Sequence, residues 1–197
     1  MADVLTSGKR YTAAEFERLP AVAGVRQELV DGAVGTLPRP GFEHGVIAGT
    51  LFRLIANHVA AQGLGFVCAA ETGFRLGEAT VRAADVAFVA QARVPATRVT
   101  GYLEGAPELA VEVRSPTEGI AKVMGKLRDW LDNGAREAWL VDPDSRSITV
   151  YATGAHPISV YHAGQTIETG DWLGQLRLAV DDVFPRYDEE HEPQAQR

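Results

Sequence analysis

The run Leu109–Val141, LAVEVRSPTEGIAKVMGKLRDWLDNGAREAWLV, decides the fold class. Its ends, Leu109–Val113 and Glu137–Val141, are short and apolar on both faces, as strands at the buried centre of a sheet are. Between them, Glu118–Asn133 reads as a helix with Gly134 as its stop. A helix of that length is enough for a right-handed crossover between two parallel strands. Pro116 ends the first strand. Ser115 reads as a helix cap rather than a nucleophile, because no histidine lies near it in sequence.

Outward from this unit the pattern continues. Downstream, Asp142-Pro143-Asp144 is a turn, and Ser147–Ala152 and Ile158–His162 are strands whose short connections suit antiparallel pairing. Upstream, Thr12–Leu19 reads as a short helix, with Thr12 and Glu15 at capping-box spacing. Gln27–Val30 and Ala33–Leu37 flank Asp31-Gly32, a hairpin signal. Glu43–Ala61 has a helical period, with Ile47, Leu51, Leu54, Ile55 and Val59 on one face. Phe66–Leu76 and Val81–Val89 are the next strands, and a polar connection runs from Gln91 to Gly105. The expected fold is α/β, a mixed central β-sheet with flanking helices. The expected organisation is a single domain over 1–185 and an acidic, flexible tail over 186–197.

Composition narrows the class. The chain has 197 residues, 46% hydrophobic and 23% charged, enough for one self-sufficient core. One cysteine, Cys68, excludes an internal disulfide and a cysteine-rich zinc site. The five histidines lack zinc spacing. Gly63-Leu64-Gly65 is not a phosphate loop, since no strand, glycine turn, lysine and helix follow in order. No run approaches a membrane span, and the first residues lack the apolar core of a signal peptide, so a cytoplasmic location is expected. The net charge of −7 argues against a protein that coats nucleic acid.

Two acids stand inside apolar runs: Asp85 in VRAADVAFV and Glu112 in LAVEVRS. A buried carboxylate is costly unless paired. Either alone reads equally well as half of a structural ion pair. Together, on successive strands, they make an oxygen-rich site for a hard divalent cation such as magnesium. The chain has three lysines, Lys9, Lys122 and Lys126, against sixteen arginines. Lys122 and Lys126 lie one turn apart on the helix after Glu112, and either could lean back to that carboxylate. Two solvated lysines on a helix face fit the spacing better. Glu28, in the hairpin, reads first as an exposed strand charge. His44 opens the long helix, where an anion such as phosphate is favoured, with a solvent-facing cap slightly ahead.

Taken in order, QELVDG (27–32), HGVIAGTL (44–51), TGFRL (72–76), VRAADVAFV (81–89), GYLEGAPELAVEVRSPT (101–117), KLRDWLDNGAREAWLVDP (126–143) and ITVYA (148–152) resemble the Uma-two family of restriction endonucleases. That family belongs to the PD-(D/E)xK nuclease superfamily. The resemblance covers nearly the whole chain and implies a restriction-endonuclease-like core that hydrolyses phosphodiester bonds in DNA with Mg2+ or Mn2+. It implies that Asp85 and Glu112 are the two motif acids and that Lys126, on the helix, replaces the strand lysine. Glu28 matches an additional early glutamate, as an outer or second-metal ligand or a water-orienting base. The carbonyl of Val113 would complete the metal shell, and His44, Arg114 and Lys122 are the expected phosphate contacts. Three departures stand out. Ala84 replaces the usual proline before Asp85, Arg114 occupies the superfamily's strand-lysine position, and Trp130, where tyrosine is common, reads as a packing residue. A homodimer is expected by analogy with nucleases that cut both strands. The rival expectation is a catalytically inactive nuclease fold serving as a binding module.

The charge also divides unevenly. Residues 181–197 hold six acids and two arginines, leaving a net −3 on the other 180 residues. Glu28, Asp85 and Glu112 are among the body's acids, so a bound divalent cation would bring it close to neutral. Asp181-Asp182 and Glu189-Glu190 read as a solvated acidic end.

Overall fold

The crossover expected from Leu109–Val141 is the centre of the molecule. A computed structural model describes residues 8–20, 22–23, 25–116, 118–153 and 158–187. In chain order the elements are α1 (Ala13–Glu17), β1 (Arg26–Val30), β2 (Ala33–Leu37), α2 (Phe42–Gln62), β3 (Gly65–Ala69), β4 (Gly73–Arg75), β5 (Val81–Ala83), β6 (Val86–Ala90), β7 (Leu103–Glu104), β8 (Leu109–Val113), α3 (Ile120–Asp132), β9 (Glu137–Asp142), β10 (Ser147–Ala152), β11 (Ile158–Tyr161), β12 (Thr166–Glu168) and β13 (Arg177–Ala179). β8 and β9 pair in parallel across α3, with Val111 opposite Trp139. β6 runs antiparallel to β8. The main sheet has six strands in the order β11-β10-β9-β8-β6-β3.

Two-residue alternation assigns each face of this sheet to one long helix. Val86, Phe88, Val111 and Trp139 pack with Ile47, Leu51, Ile55 and Val59 of α2. Ala87, Ala110, Ala138 and Leu140 pack with Val123, Leu127 and Trp130 of α3. Small residues in the strands leave room for the Trp130 ring, which is fully buried and meets Phe74 edge-on at 5.9 Å between centroids. Glu112 has the parity of Ala110, so it faces α3. This parity places the second motif acid beside the helix that carries Lys126.

A second sheet of five strands, in the order β2-β1-β5-β4-β7, covers a small core of Ala13, Phe16, Leu29, Val34 and Val81. Thr12 caps α1 with a complete capping box. β12 and β13 form a separate pair.

Three expectations are corrected. Phe66–Leu76 is not one strand: it breaks at 70–72, where Glu71 has φ +74°, and its halves β3 and β4 join different sheets. Val81–Val89 divides likewise, at Ala84-Asp85, into β5 of the smaller sheet and β6 of the larger. In the first run Glu71-Thr72-Gly73 is a polar turn that marks the break, whereas in the second the apolar residues resume directly after Asp85, so nothing local shows that β5 and β6 join different sheets. Ser115 is not the helix cap; that position belongs to Gly119, and α3 starts at Ile120. The expected tail over 186–197, including Glu189-Glu190, lies outside the described residues except for Arg186 and Tyr187. Asp181 accepts a hydrogen bond from the Gly164 N–H, so it ties down a loop rather than only meeting water. Among the described residues no helix is long and apolar enough to cross a membrane.

Candidate active site

Glu112 is 4% exposed, next to the C-terminal end of β8. Its Oε1 accepts a hydrogen bond from Trp130 Nε1 at 2.8 Å, and its Oε2 accepts one from Lys126 Nζ at 3.1 Å. Lys126 and Trp130 are four residues apart, so α3 presents both to the same strand position. Lys126 also lies 3.7 Å from Glu118 Oε1. Of the two lysines on α3, Lys126 is therefore the buried partner of the carboxylate, while Lys122, one turn earlier, is exposed. Trp130 does more than pack: its indole N–H helps hold Glu112.

Asp85 sits where the chain passes from β5 to β6. Its N–H donates to Val111 O at 3.0 Å, and its Oδ2 accepts the Val113 N–H at 2.8 Å. The side chain thus continues the ladder onto β8 after β6 has ended. A strand residue points its own N–H and C=O to the same side. The Val113 carbonyl therefore faces the Asp85 side of β8, beyond the last strand partner. His44, in the first turn of α2, places Nε2 3.2 Å from Asp85 Oδ2. It is half-buried against the acid rather than a solvent-facing cap. Arg26 Nη2 lies 4.0 Å from Asp85 Oδ1.

Glu28 is 3% exposed, which corrects its reading as a surface strand charge. Its neighbour Leu29 is also fully buried, so β1 is covered on both faces. Glu28 accepts from Arg82 Nη1 at 2.9 Å and from the Ala83 N–H at 3.3 Å. Arg82 donates as well through Nε to Asp129 Oδ2 on α3, at 2.9 Å. One guanidinium thereby joins β1, β5 and α3. Arg82 is not among the residues that the sequence singles out, although an arginine inside the apolar run VRAADVAFV is a signal: buried acids need buried bases. Arg114 pairs with Asp142 and Asp144 at the turn after β9 and is not drawn into the cluster.

The charges interact strongly. Burial pushes the Glu112 carboxyl up and the neighbouring Lys126 ammonium pulls it back, while Asp85 and Glu28 raise it further; it titrates at about 7. Burial also opposes ionisation of Asp85, but His44, the Val113 N–H and Lys126 outweigh it and hold this carboxyl below the ordinary range. Lys126 loses solvation on burial, yet Glu112, Glu28, Glu118 and Asp85 together raise its pKa, so it stays protonated. The candidate ligands are all oxygens, two carboxylates and a carbonyl, the type a hard divalent cation takes with water. Among the described residues, no three His, Cys, Asp or Glu side chains stand together as a metal-binding group. Glu28 is held by Arg82 and acts on Glu112 through charge.

Comparisons with known proteins agree with this fold. Residues 13–181 match the model of the Uma2 family, described as "Putative restriction endonuclease". No curated protein matches the chain. A solved structure from Anabaena variabilis, described as a putative nuclease belonging to DUF820, superposes with a TM-score of 0.76 at 23% identity. That match covers 88% of this chain and 97% of the other, and it shows a shared restriction-endonuclease-like fold. With the family model spanning most of its length, the chain belongs to the Uma2 family.

Proposed function

We propose that this protein hydrolyses phosphodiester bonds in DNA at a centre formed by Asp85, Glu112 and Lys126, using Mg2+ or Mn2+. The observation that carries the reading is the buried Glu112, which is hydrogen-bonded to the Lys126 ammonium and feels the like charge of Asp85. Asp85, Glu112 and the Val113 carbonyl are the groups that would hold the cation. When bound, the cation supplies a Lewis acid that makes water more acidic and offsets charge on the phosphoryl oxygens.

The protein's own residues divide the remaining work. Lys126 is a donor and not a base, because its carboxylate neighbours keep it protonated. It orients the attacking water and faces the charge that develops on the phosphate. His44 and the Val113 N–H fix the Asp85 carboxylate in one orientation, and Trp130 does the same for Glu112. Glu28, immobilised by Arg82, orients water at the edge of the centre.

The test is cleavage of plasmid and linear DNA by purified protein with Mg2+ or Mn2+. Asp85→Ala and Lys126→Ala should each lower the rate at least about a hundredfold while the circular dichroism spectrum is kept. Undiminished cleavage by both variants would reject the assignment. A second reading, a binding module that has kept the fold, is favoured by one observation: both Glu112 oxygens are already engaged, by Trp130 and Lys126. Calorimetric titration separates the two, because a binding module would take up neither Mg2+ nor Mn2+ at millimolar concentration.

A further inference from the structure

Next to the carboxylate centre is a pocket of about 180 Å³, walled by β1, β5 and the approach to β7. Arg26, Glu28 and Arg82 line its polar side, and Phe16, Val81 and Tyr102 line its apolar side. Glu28 and Arg82 belong to the site already described, so the pocket opens directly onto it.

Arg26 is the informative residue. Its side chain is 16% exposed and bridges the pocket to Asp85, with Nη2 4.0 Å from Oδ1. Nε lies 3.4 Å from Glu71 Oε1 but outside hydrogen-bonding geometry, and it is a buried donor with no hydrogen-bond partner among the described residues. Arg82, by contrast, is committed on both sides, to Glu28 and Asp129. An arginine fork with an unused donor beside a phosphodiester centre suits an anionic oxygen. A buried donor left unmatched is also costly, which favours a ligand that fills it.

The aromatic wall is built as tightly. The Phe16 and Tyr102 rings stack at 6.1 Å between centroids and 24° between planes. Tyr102 lies so close over Gly73 that a Cβ there would fall 2.3 Å from its Cδ1. Only glycine at 73 leaves the ring in that place. A cation on one side, an aromatic wall on the other and room for a single planar ring describe a nucleotide subsite.

We infer that this pocket seats the nucleotide adjoining the scissile bond, with its phosphate on Arg26 and its base against Tyr102. The inference rests on the phosphodiester reading for its place in the reaction, but binding tests it separately. The probes are a deoxynucleoside 5′-monophosphate, the free deoxynucleoside and inorganic phosphate, each titrated calorimetrically into the full-length protein without divalent cation. The monophosphate should bind in the millimolar range and at least about tenfold tighter than either fragment. Arg26→Gln and Tyr102→Ala should each weaken it about tenfold or more. Tyr102→Phe should retain binding, which separates loss of the ring from loss of the fold. With DNA, Arg26→Gln should raise KM more than it lowers kcat. Monophosphate binding that depends on both residues, in a protein that cleaves no DNA, would keep the subsite and reject hydrolysis. Cleavage with KM unchanged in Arg26→Gln and Tyr102→Ala would reject the subsite and keep hydrolysis. Absence of monophosphate binding at roughly 10 mM, or equal binding by all variants, also overturns it.

Discussion

Glu112 is the residue on which acidity and function meet. Its folded pKa of about 7 lies above the ordinary 4.5, so between those values the folded state holds a proton that the unfolded state has lost. By linkage, the contribution of Glu112 to metal-free stability is full below about pH 4.5 and is lost as pH rises through 7. A cation reverses the preference, since it binds the carboxylate and releases that proton. Manganese affinity should therefore fall roughly tenfold for each pH unit below about 7. Titrations at about pH 6 and about pH 8 check this, and equal affinities would remove Glu112 from the ligand set. Trp130→Phe keeps the buried ring but removes the donor to Glu112 Oε1. It should cost about 1–3 kcal/mol in urea unfolding. Lys126 is singled out only by the family resemblance, since two solvated lysines fit the helix spacing better, whereas Asp85 and Glu112 are legible as a pair because acids in apolar runs are unusual in composition. The role of Trp130 is not, since an indole on a helix face looks the same whether or not its N–H has a partner.

At the scale of elements, helices and strands follow their periods closely, and the differences arise where chain direction changes. Gly65 opens β3 with φ +147°, and a Cβ there would lie 2.1 Å from Val89 O on β6. Gly65→Ala should destabilise by about 3 kcal/mol or more, through backbone strain and the parting of β3 from β6. Gly49 is exposed in the interior of α2, and a Cβ added there would meet nothing within 4 Å. Gly49→Ala should stabilise by roughly 0.5–1 kcal/mol, and thermal melts of the two variants should move in opposite directions. The split at 70–72 is marked by the polar turn Glu71-Thr72-Gly73, but at Ala84-Asp85 apolar residues lie on both sides of the acid, and no local pattern tells that β5 and β6 join different sheets. The second split is also what frees the Asp85 side chain to bond β8.

For the whole molecule, Arg82 is a hydrogen-bonded link between the smaller sheet and α3, beside the packing of Phe74 on Trp130. Removing one member of a buried ion pair leaves the other charge uncompensated, so Arg82→Met should cost about 3–5 kcal/mol. Combining it with Glu28→Gln should recover part of that loss, and a double-mutant cycle in denaturant measures the coupling. No recovery would mean that the pair is not the joint between the sheets. By itself, the sequence determined the crossover and the two long helices. These are set by local periodicity, which any window of about ten residues or more reveals. Only the tertiary structure decided that Glu28 is buried, that Arg82, 54 residues away, satisfies it, and that Tyr102 walls a pocket beside Arg26. Those contacts join segments whose separate patterns are complete without them, and they exist only because packing two sheets and a helix together leaves each buried charge few available partners.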